Sequence, residues 1–407
     1  MQEFNVTLIA SPGTGGLVTG GGTFAAGGSR SVKAISAAGF EFLDWSGSIS
    51  APTPALTFVL QSNMFLQANF IPNPFAPFKG NYAGLFSGTN GVALTNSGLF
   101  TATVTDKGNF SSKLQLAGQS YLLSGHFSLH GFSSSIPRKG LSPLSILLQL
   151  DLSGSNTITG QVSDGIWTAD LLANRAVYSR KAPAPQAGRK YTLAIAGSDD
   201  ASLQPGGLGF GRASVNSLGA LTFSGELGDG TAVYQSSFVS GQGQWPLYLS
   251  LYSGKGVMLG WLTFTNEVDR DVTGQVNWMK APQRSKLYAG GFAGEPPLEV
   301  VGSVYAFTNR VPLLGINQGE VILKSGNLWQ SITNQIQFAT NKIINLGPSN
   351  RLSLAITASS GLFRGSVMPQ APGKPVPFSG ILLQKPNAGY GHFLGTNQSG
   401  SVYLGPE

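Results

Sequence analysis

The 407-residue chain has no cysteine, which removes disulfides, thiolate metal ligands and cysteine nucleophiles together. Charge is scarce as well: Asp, Glu, Lys and Arg make up 11% of the residues, against about a quarter in ordinary soluble domains. Histidine is limited to His126, His130 and His392. No apolar run reaches the ~20 residues that a membrane helix needs, so no membrane span is expected. Met1-Gln2-Glu3 lacks the basic and apolar segments of a signal peptide, and the chain reads as a fragment of a larger exported protein.

Glycine, by contrast, is abundant at 56 residues, set with Ser, Thr and Asn between short apolar alternations. That punctuation belongs to many short strands joined by tight turns. An apolar content of 41% excludes bulk disorder, and glycine without a period of three excludes collagen. The net charge of +7 is spread along the chain. Its densest basic group, Arg175, Arg180, Lys181, Arg189 and Lys190, lacks the interleaved aromatics of a single-strand binding platform, so no nucleic-acid partner is expected. A solvated linker is the plain reading of this group; an acidic polysaccharide or an anionic surface is the alternative.

The chain repeats itself. Thr159-Gly160-Gln161-Val162 returns as Thr273-Gly274-Gln275-Val276, and the turn glycines Gly108, Gly219 and Gly326 recur 111 and 107 residues apart. These marks divide the chain into a module at 1–71, a Pro-rich linker at 72–79, and three units at 80–183, 184–290 and 291–407. Connections within the units are short, which requires antiparallel meanders. Curling into a small barrel would hide their edges. The third copy keeps the strand glycine as Gly365 and departs from the plan at 332–344, where Asn and Gln are dense. The expected fold is all-β: a small β-grasp-like N-terminal module, then antiparallel β-meander, barrel-like repeat units.

Within the first module, Phe4, Val6, Leu8 and Ala10 alternate with Asn5, Thr7 and Ile9 in a half-buried strand, and Ser11-Pro12-Gly13-Thr14-Gly15-Gly16 turns the chain. Phe42-Leu43-Asp44-Trp45-Ser46-Gly47 and the closing Ala68-Asn69-Phe70 complete a segment that resembles the bacterial β-repeat modules related to the B-repeats of internalin-type surface proteins. The resemblance implies a β-grasp-like fold, an extracellular or cell-surface home and a spacer or adhesive role, with no catalytic residues to carry over. Trp45 needs no ligand to explain it, because a large ring closes a core otherwise too small. The three units look like an uncharacterised β-rich region of large exported bacterial proteins, and their plan is similar to the barrels of bacterial surface receptor lipoproteins.

Candidate chemistry gathers in the second unit. Trp245, Tyr248, Tyr252 and Trp261 offer rings for stacking on sugars if Tyr248 and Tyr252 face outward while Leu247, Leu249 and Leu251 face the core; the same aromatics also suit a barrel rim or an interface between units. Glu267, Asp269 and Asp271 alternate in one turn and are candidates to hold a hard cation, calcium, although Arg270 among them and the lack of a glycine pivot oppose it. His126 and His130 share strand parity about 13 Å apart at ~3.3 Å per residue, too far for one metal. No Gly-x-Ser-x-Gly elbow is present. The first functional reading is a non-enzymatic structural or binding protein of the cell surface, recognising a glycan or a neighbouring surface. A polysaccharide hydrolase using carboxylates of the second unit is one alternative. A self-assembling fibre or sheath subunit is the other.

Overall fold

In the computed structural model, residues 2–200, 203–309, 311–339, 342–347, 350–369 and 374–407 are described. Among them no α-helix occurs; Ala76–Phe78 and Tyr252–Gly254 each form one 3₁₀ turn, and the remaining regular structure is β. The chain separates into two compact units. One comprises Met1–Tyr82, Ala102–Lys113 and Leu122–Ile166, the other Ala83–Thr101, Leu114–Tyr121 and Trp167–Glu407.

The N-terminal module contains β1 (Glu3–Ser11), β2 (Gly16–Thr19), β3 (Gly22–Ala25), β4 (Ser29–Ser36), β5 (Phe40–Gly47), β6 (Ala55–Val59) and β7 (Met64–Pro72). They form a mixed sheet, β3-β1-β7-β5, and a smaller one, β2-β4-β6. Its first and last strands run parallel, with Val6 opposite Met64 and Ser11 opposite Asn69, which is the β-grasp-like feature. Trp45 is fully buried beside Phe42, ring centroids 5.9 Å apart, and its Nε1 donates to the Pro54 carbonyl at 3.4 Å. The polar residues of the same motif have a partner too. Asn69 Nδ2 donates to Asp44 Oδ1 at 2.6 Å and to Ser46 Oγ at 3.0 Å, fastening β5 to β7 where a register shift falls between Phe42 and Asp44.

The rest of the chain builds three eight-stranded antiparallel sheets. The first uses β8 (Gly80–Gly88), β9 (Gly98–Val104), β10 (Asn109–Leu116), β11 (Gln119–His126), β12 (Phe132–Arg138), β13 (Leu141–Leu150), β14 (Thr157–Ser163) and β15 (Thr168–Arg175). The second uses β16 (Lys190–Ile195), β17 (Gly209–Val215), β18 (Ala220–Glu226), β19 (Ala232–Phe238), β20 (Gln244–Leu251), β21 (Gly256–Phe264), β22 (Val272–Lys280) and β23 (Leu298–Val304). The third uses β24 (Gln318–Ser325), β25 (Ile332–Ala339), β26 (Lys342–Asn345), β27 (Ser353–Thr357), β28 (Leu362–Val367), β29 (Val376–Leu383), β30 (Ala388–Leu394) and β31 (Ser399–Gly405). Thr340 and Asn341 of the Asn- and Gln-dense stretch lie outside the described residues.

The strand orders are β11-β10-β9-β8-β15-β14-β13-β12, β19-β18-β17-β16-β23-β22-β21-β20 and β26-β25-β24-β31-β30-β29-β28-β27. In each sheet the first strand pairs with the last, so every meander curls until its own ends meet. A seam without a backbone ladder remains. It falls between the fourth and fifth strands in the first two sheets and between the third and fourth in the third sheet. In the second sheet a buried side chain bridges this seam. Gln235 on β19 donates from Nε2 to the Pro246 carbonyl on β20 at 2.9 Å and accepts from Trp245 Nε1 at 3.0 Å. Near the corresponding seam of the third sheet, Asn334 and Asn350 exchange amide hydrogen bonds of 2.6 and 2.7 Å. Apolar side chains fill the interiors, among them Leu193, Phe223, Trp245 and Trp278 in the second barrel and Val321, Phe363 and Phe393 in the third.

Candidate functional site

On β20 the alternation sends Leu247, Leu249 and Leu251 into the barrel interior. Tyr248 faces out, but that outer face is covered. Tyr248, Val257, Leu259 and Met279 pack against Leu85, with Val92, Leu94, Leu99 and Trp261 around them. The expected exposed face is therefore an apolar seam between two barrel walls, and burial pushes the Tyr248 phenol up to about 12 by disfavouring the charged form. Trp245 is wholly buried inside the barrel. Tyr252, in the 3₁₀ turn after β20, donates its hydroxyl to Asp229 Oδ2 at 2.6 Å and accepts from Trp278 Nε1 at 3.2 Å. Burial, reinforced by the Asp229 charge, raises its pKa far above the ordinary value. The ammonium of Lys280, its own pKa lowered by burial, sits 4.8 Å over the Tyr252 ring and donates to the Leu287 carbonyl at 2.8 Å.

Trp261 stands apart from the other three aromatics because it reaches an opening. At the end of the apolar seam a pocket of about 400 Å³ is lined by Trp261, Gln275 and Asn277 of the second sheet and by Ser87 and Asp170 of the first. Strand alternation explains the polar side. Val276 points into the barrel and is fully buried, so its neighbours Gln275 and Asn277 point out. Asn277 Nδ2 is held by the Gly294 carbonyl at 3.1 Å and Glu295 Oε1 at 3.0 Å, which fixes the amide's orientation at the pocket wall. An indole beside amides, a carboxylate and a hydroxyl suits a ring that is apolar on its faces and hydroxylated at its edge. Of the residues lining this pocket, the sequence singles out Trp261 and not Gln275, Asn277 or Asp170 as candidates. The signal for Gln275 was the repeated tetrapeptide that contains it.

The acidic turn gathers oxygens about a cation, and that cation is Lys385. Its Nζ lies 2.8 Å from Asp271 Oδ1 and donates to Asn266 Oδ1 at 3.3 Å, to the Arg270 carbonyl at 3.4 Å and to the Glu267 carbonyl. Asp271 is buried. Glu267 and Asp269 turn instead to Arg270, at 3.4 and 2.7 Å, so the three carboxylates do not converge on one point. Among the described residues no group of three or more His, Asp or Glu is placed to hold a metal ion. The histidines are separate. His126 contacts Glu41 at 3.1 Å and Asn109 at 3.3 Å, His130 lies in the turn after β11, and His392 is buried between the Leu208 carbonyl at 2.9 Å and Glu226 at 3.0 Å.

Among the described residues no helix is long and apolar enough to cross a membrane. No curated protein matches the chain. Among solved structures it is similar to intact Ap-TbpB with its N and C lobes, at 11% identity over 93% of this chain and 83% of that one, with a TM-score of 0.21. It is also similar to the isotype 1 transferrin binding protein B of serogroup B Neisseria meningitidis, at 10% identity over the same shares, with a TM-score of 0.18. The N-terminal module has a family of its own: residues 6–74 match the divergent InlB B-repeat domain.

Proposed function

We propose that the protein is a binding protein of the cell surface and that it holds a saccharide in the Trp261 pocket. The N-terminal domain supports the location, because it matches the divergent InlB B-repeat domain and resembles modules of surface proteins. One observation carries the ligand class: the Trp261 indole lines a pocket of about 400 Å³ beside Gln275, Asn277, Asp170 and Ser87. An aromatic ring beside the Gln275 amide and the Oδ1 of Asn277, whose own NH2 is already held by Gly294 and Glu295, selects a hydroxylated ring over a purely apolar ligand, since the Gln275 amide and Asn277 Oδ1 would be left unpaired against the latter.

A glycan array with wild type identifies the sugar, and calorimetry with Trp261→Ala tests the site. The expected loss is at least tenfold in affinity, about 1.4 kcal/mol for one stacked ring face. Gln275→Ala should weaken binding in the same direction. Equal affinity of wild type and Trp261→Ala for every glycan bound would sink the proposal.

A further inference from the structure

The outer wall of the second barrel changes character along its strands. Where β29 and β30 cover it, the wall is apolar: Ala194, Phe210 and Val301 pack with Ile381, Leu383 and Tyr390. Two residues further along, the cover ends and the chemistry switches. Thr192, Arg212, Ser224 and Tyr234 stand opposite one another across β16, β17, β18 and β19, and beside them runs a second row, Lys190, Ser214, Thr222 and Ser236. These eight side chains share one face, because each row lies two residues from the other on every strand. No carboxylate is among them.

A groove of about 220 Å³ lies over this grid, with Tyr305, Ser359 and Ser360 as its far wall. Tyr305 is buried and its hydroxyl donates to the Ala358 carbonyl at 2.6 Å, which fixes the turn that carries the two serines. A second groove of about 230 Å³ shares Arg212 and Ser224 with the first and adds Arg364 and Ser379. Glu226, which lines the second groove, is already committed to His392 at 3.0 Å. Several hydroxyls are ordered by one another, with Ser214 and Thr222 2.9 Å apart and Tyr234 and Ser236 2.9 Å apart. Arg212 and Lys190 have no side-chain hydrogen bond or ion pair among the described residues. Arg212 thus presents an unused planar fork to two adjoining grooves, and such a fork pairs with an oxyanion in two parallel bonds.

We infer that this face binds an acidic saccharide, one whose sugar carries a carboxylate or a sulfate. The oxyanion pairs with Arg212, Lys190 or Arg364 supplies the second cation, and the Ser214, Thr222 and Ser224 hydroxyls with the Tyr234 ring meet the sugar itself. The site is separate from the Trp261 pocket, so either can fail alone.

The test titrates the full chain with sulfated heparin oligosaccharides, with oligogalacturonates, with neutral malto-oligosaccharides and with inorganic sulfate. Binding of at least one acidic oligosaccharide, about tenfold weaker in Arg212→Gln and in Lys190→Gln, is the expected result. It should weaken further as salt screens the charges, and Trp261→Ala should leave it intact. Because Arg212, Lys190 and Arg284 are exposed, all three Gln variants should keep the wild-type unfolding temperature. An equal loss in Arg284→Gln, equal binding of the neutral oligosaccharide, binding of inorganic sulfate without the sugar, or no binding of either acid overturns the inference.

Discussion

Asp269 and Asp271 stand two residues apart in one turn, yet their surroundings assign them opposite weights. Asp269 is 59% exposed at its side chain and pairs with Arg270, whose hydrogen bonds hold its carboxyl below the ordinary value. Exposed pairs of this kind contribute little, because water competes for both charges. Asp271 is 4% exposed at its side chain and uses both oxygens: Oδ1 meets Lys385, and Oδ2 accepts the Val304 amide at 2.7 Å. Removing it leaves the part-buried Val304 N–H unpaired and leaves the Lys385 ammonium only neutral oxygens as partners. Asp271→Ala should therefore cost about 2–4 kcal/mol, read as a lower midpoint in urea unfolding, while Asp269→Ala leaves the midpoint where it is. Equal midpoints for the two variants would contradict the geometry.

At the scale of the element, the repeated Thr-Gly-Gln-Val mark has a steric cause. A Cβ on Gly160 would lie 2.0 Å from the Leu147 carbonyl oxygen, and one on Gly274 would lie 2.3 Å from that of Trp261. Both glycines sit in the seventh strand of their sheet, β14 and β22, where the neighbouring strand comes too close for any side chain. The third copy differs. Gly365 belongs to β28, the fifth strand of its sheet, and a Cβ there would meet Phe378 and the Ser353 carbonyl. The strand glycine is thus two strands earlier in the third sheet, and the turn glycines are displaced by one. Gly108 and Gly219 join the second and third strands of their sheets, Gly326 the first and second of its own, all three with positive φ. The shift explains why the third seam falls one strand earlier. Gly274→Ala should push β21 from β22, costing about 1–3 kcal/mol and displacing Trp261 in the same step. Calorimetric unfolding together with Trp261 fluorescence reads both effects; an unchanged melting temperature would remove the steric account.

For the whole molecule, what was legible in the sequence followed from short-range chemistry. Short connections such as Asp106-Lys107-Gly108 and Ser153-Gly154-Ser155-Asn156 announce antiparallel meanders, and the first module is readable because Asp44, Trp45, Ser46 and Asn69 all serve one small core. The edge strand β12 is hard to read in the sequence because Ser133, Ser134, Ser135 and Pro137 leave it little apolar alternation. Tyr248 was read as exposed because nothing local says that another barrel wall covers it. The acidic turn suggested a metal because its true cation, Lys385, is more than a hundred residues away in sequence.

The seams belong to the same class, and they bear on whether the chain assembles. Each sheet ends in two unpaired edges, which are templates for pairing with another copy. In the second sheet Pro246 removes one donor from β20, and Gln235 occupies the Pro246 carbonyl and the Trp245 indole across the gap. The edge is thereby satisfied from within the chain, by a side chain that no pairing rule would single out. Wild type should accordingly remain a monomer in light scattering at high concentration. Gln235→Leu keeps the volume but leaves the Trp245 N–H and the Pro246 carbonyl buried without partners, at a cost of about 1–3 kcal/mol for each group. Opening of the seam then exposes the backbone of β19 and β20, so the variant should grow in mass as concentration rises, whereas Gln235→Glu, which still accepts from Trp245, should grow less. A Gln235→Leu protein that stays monomeric and equally stable would show that the backbone alone holds the seam shut.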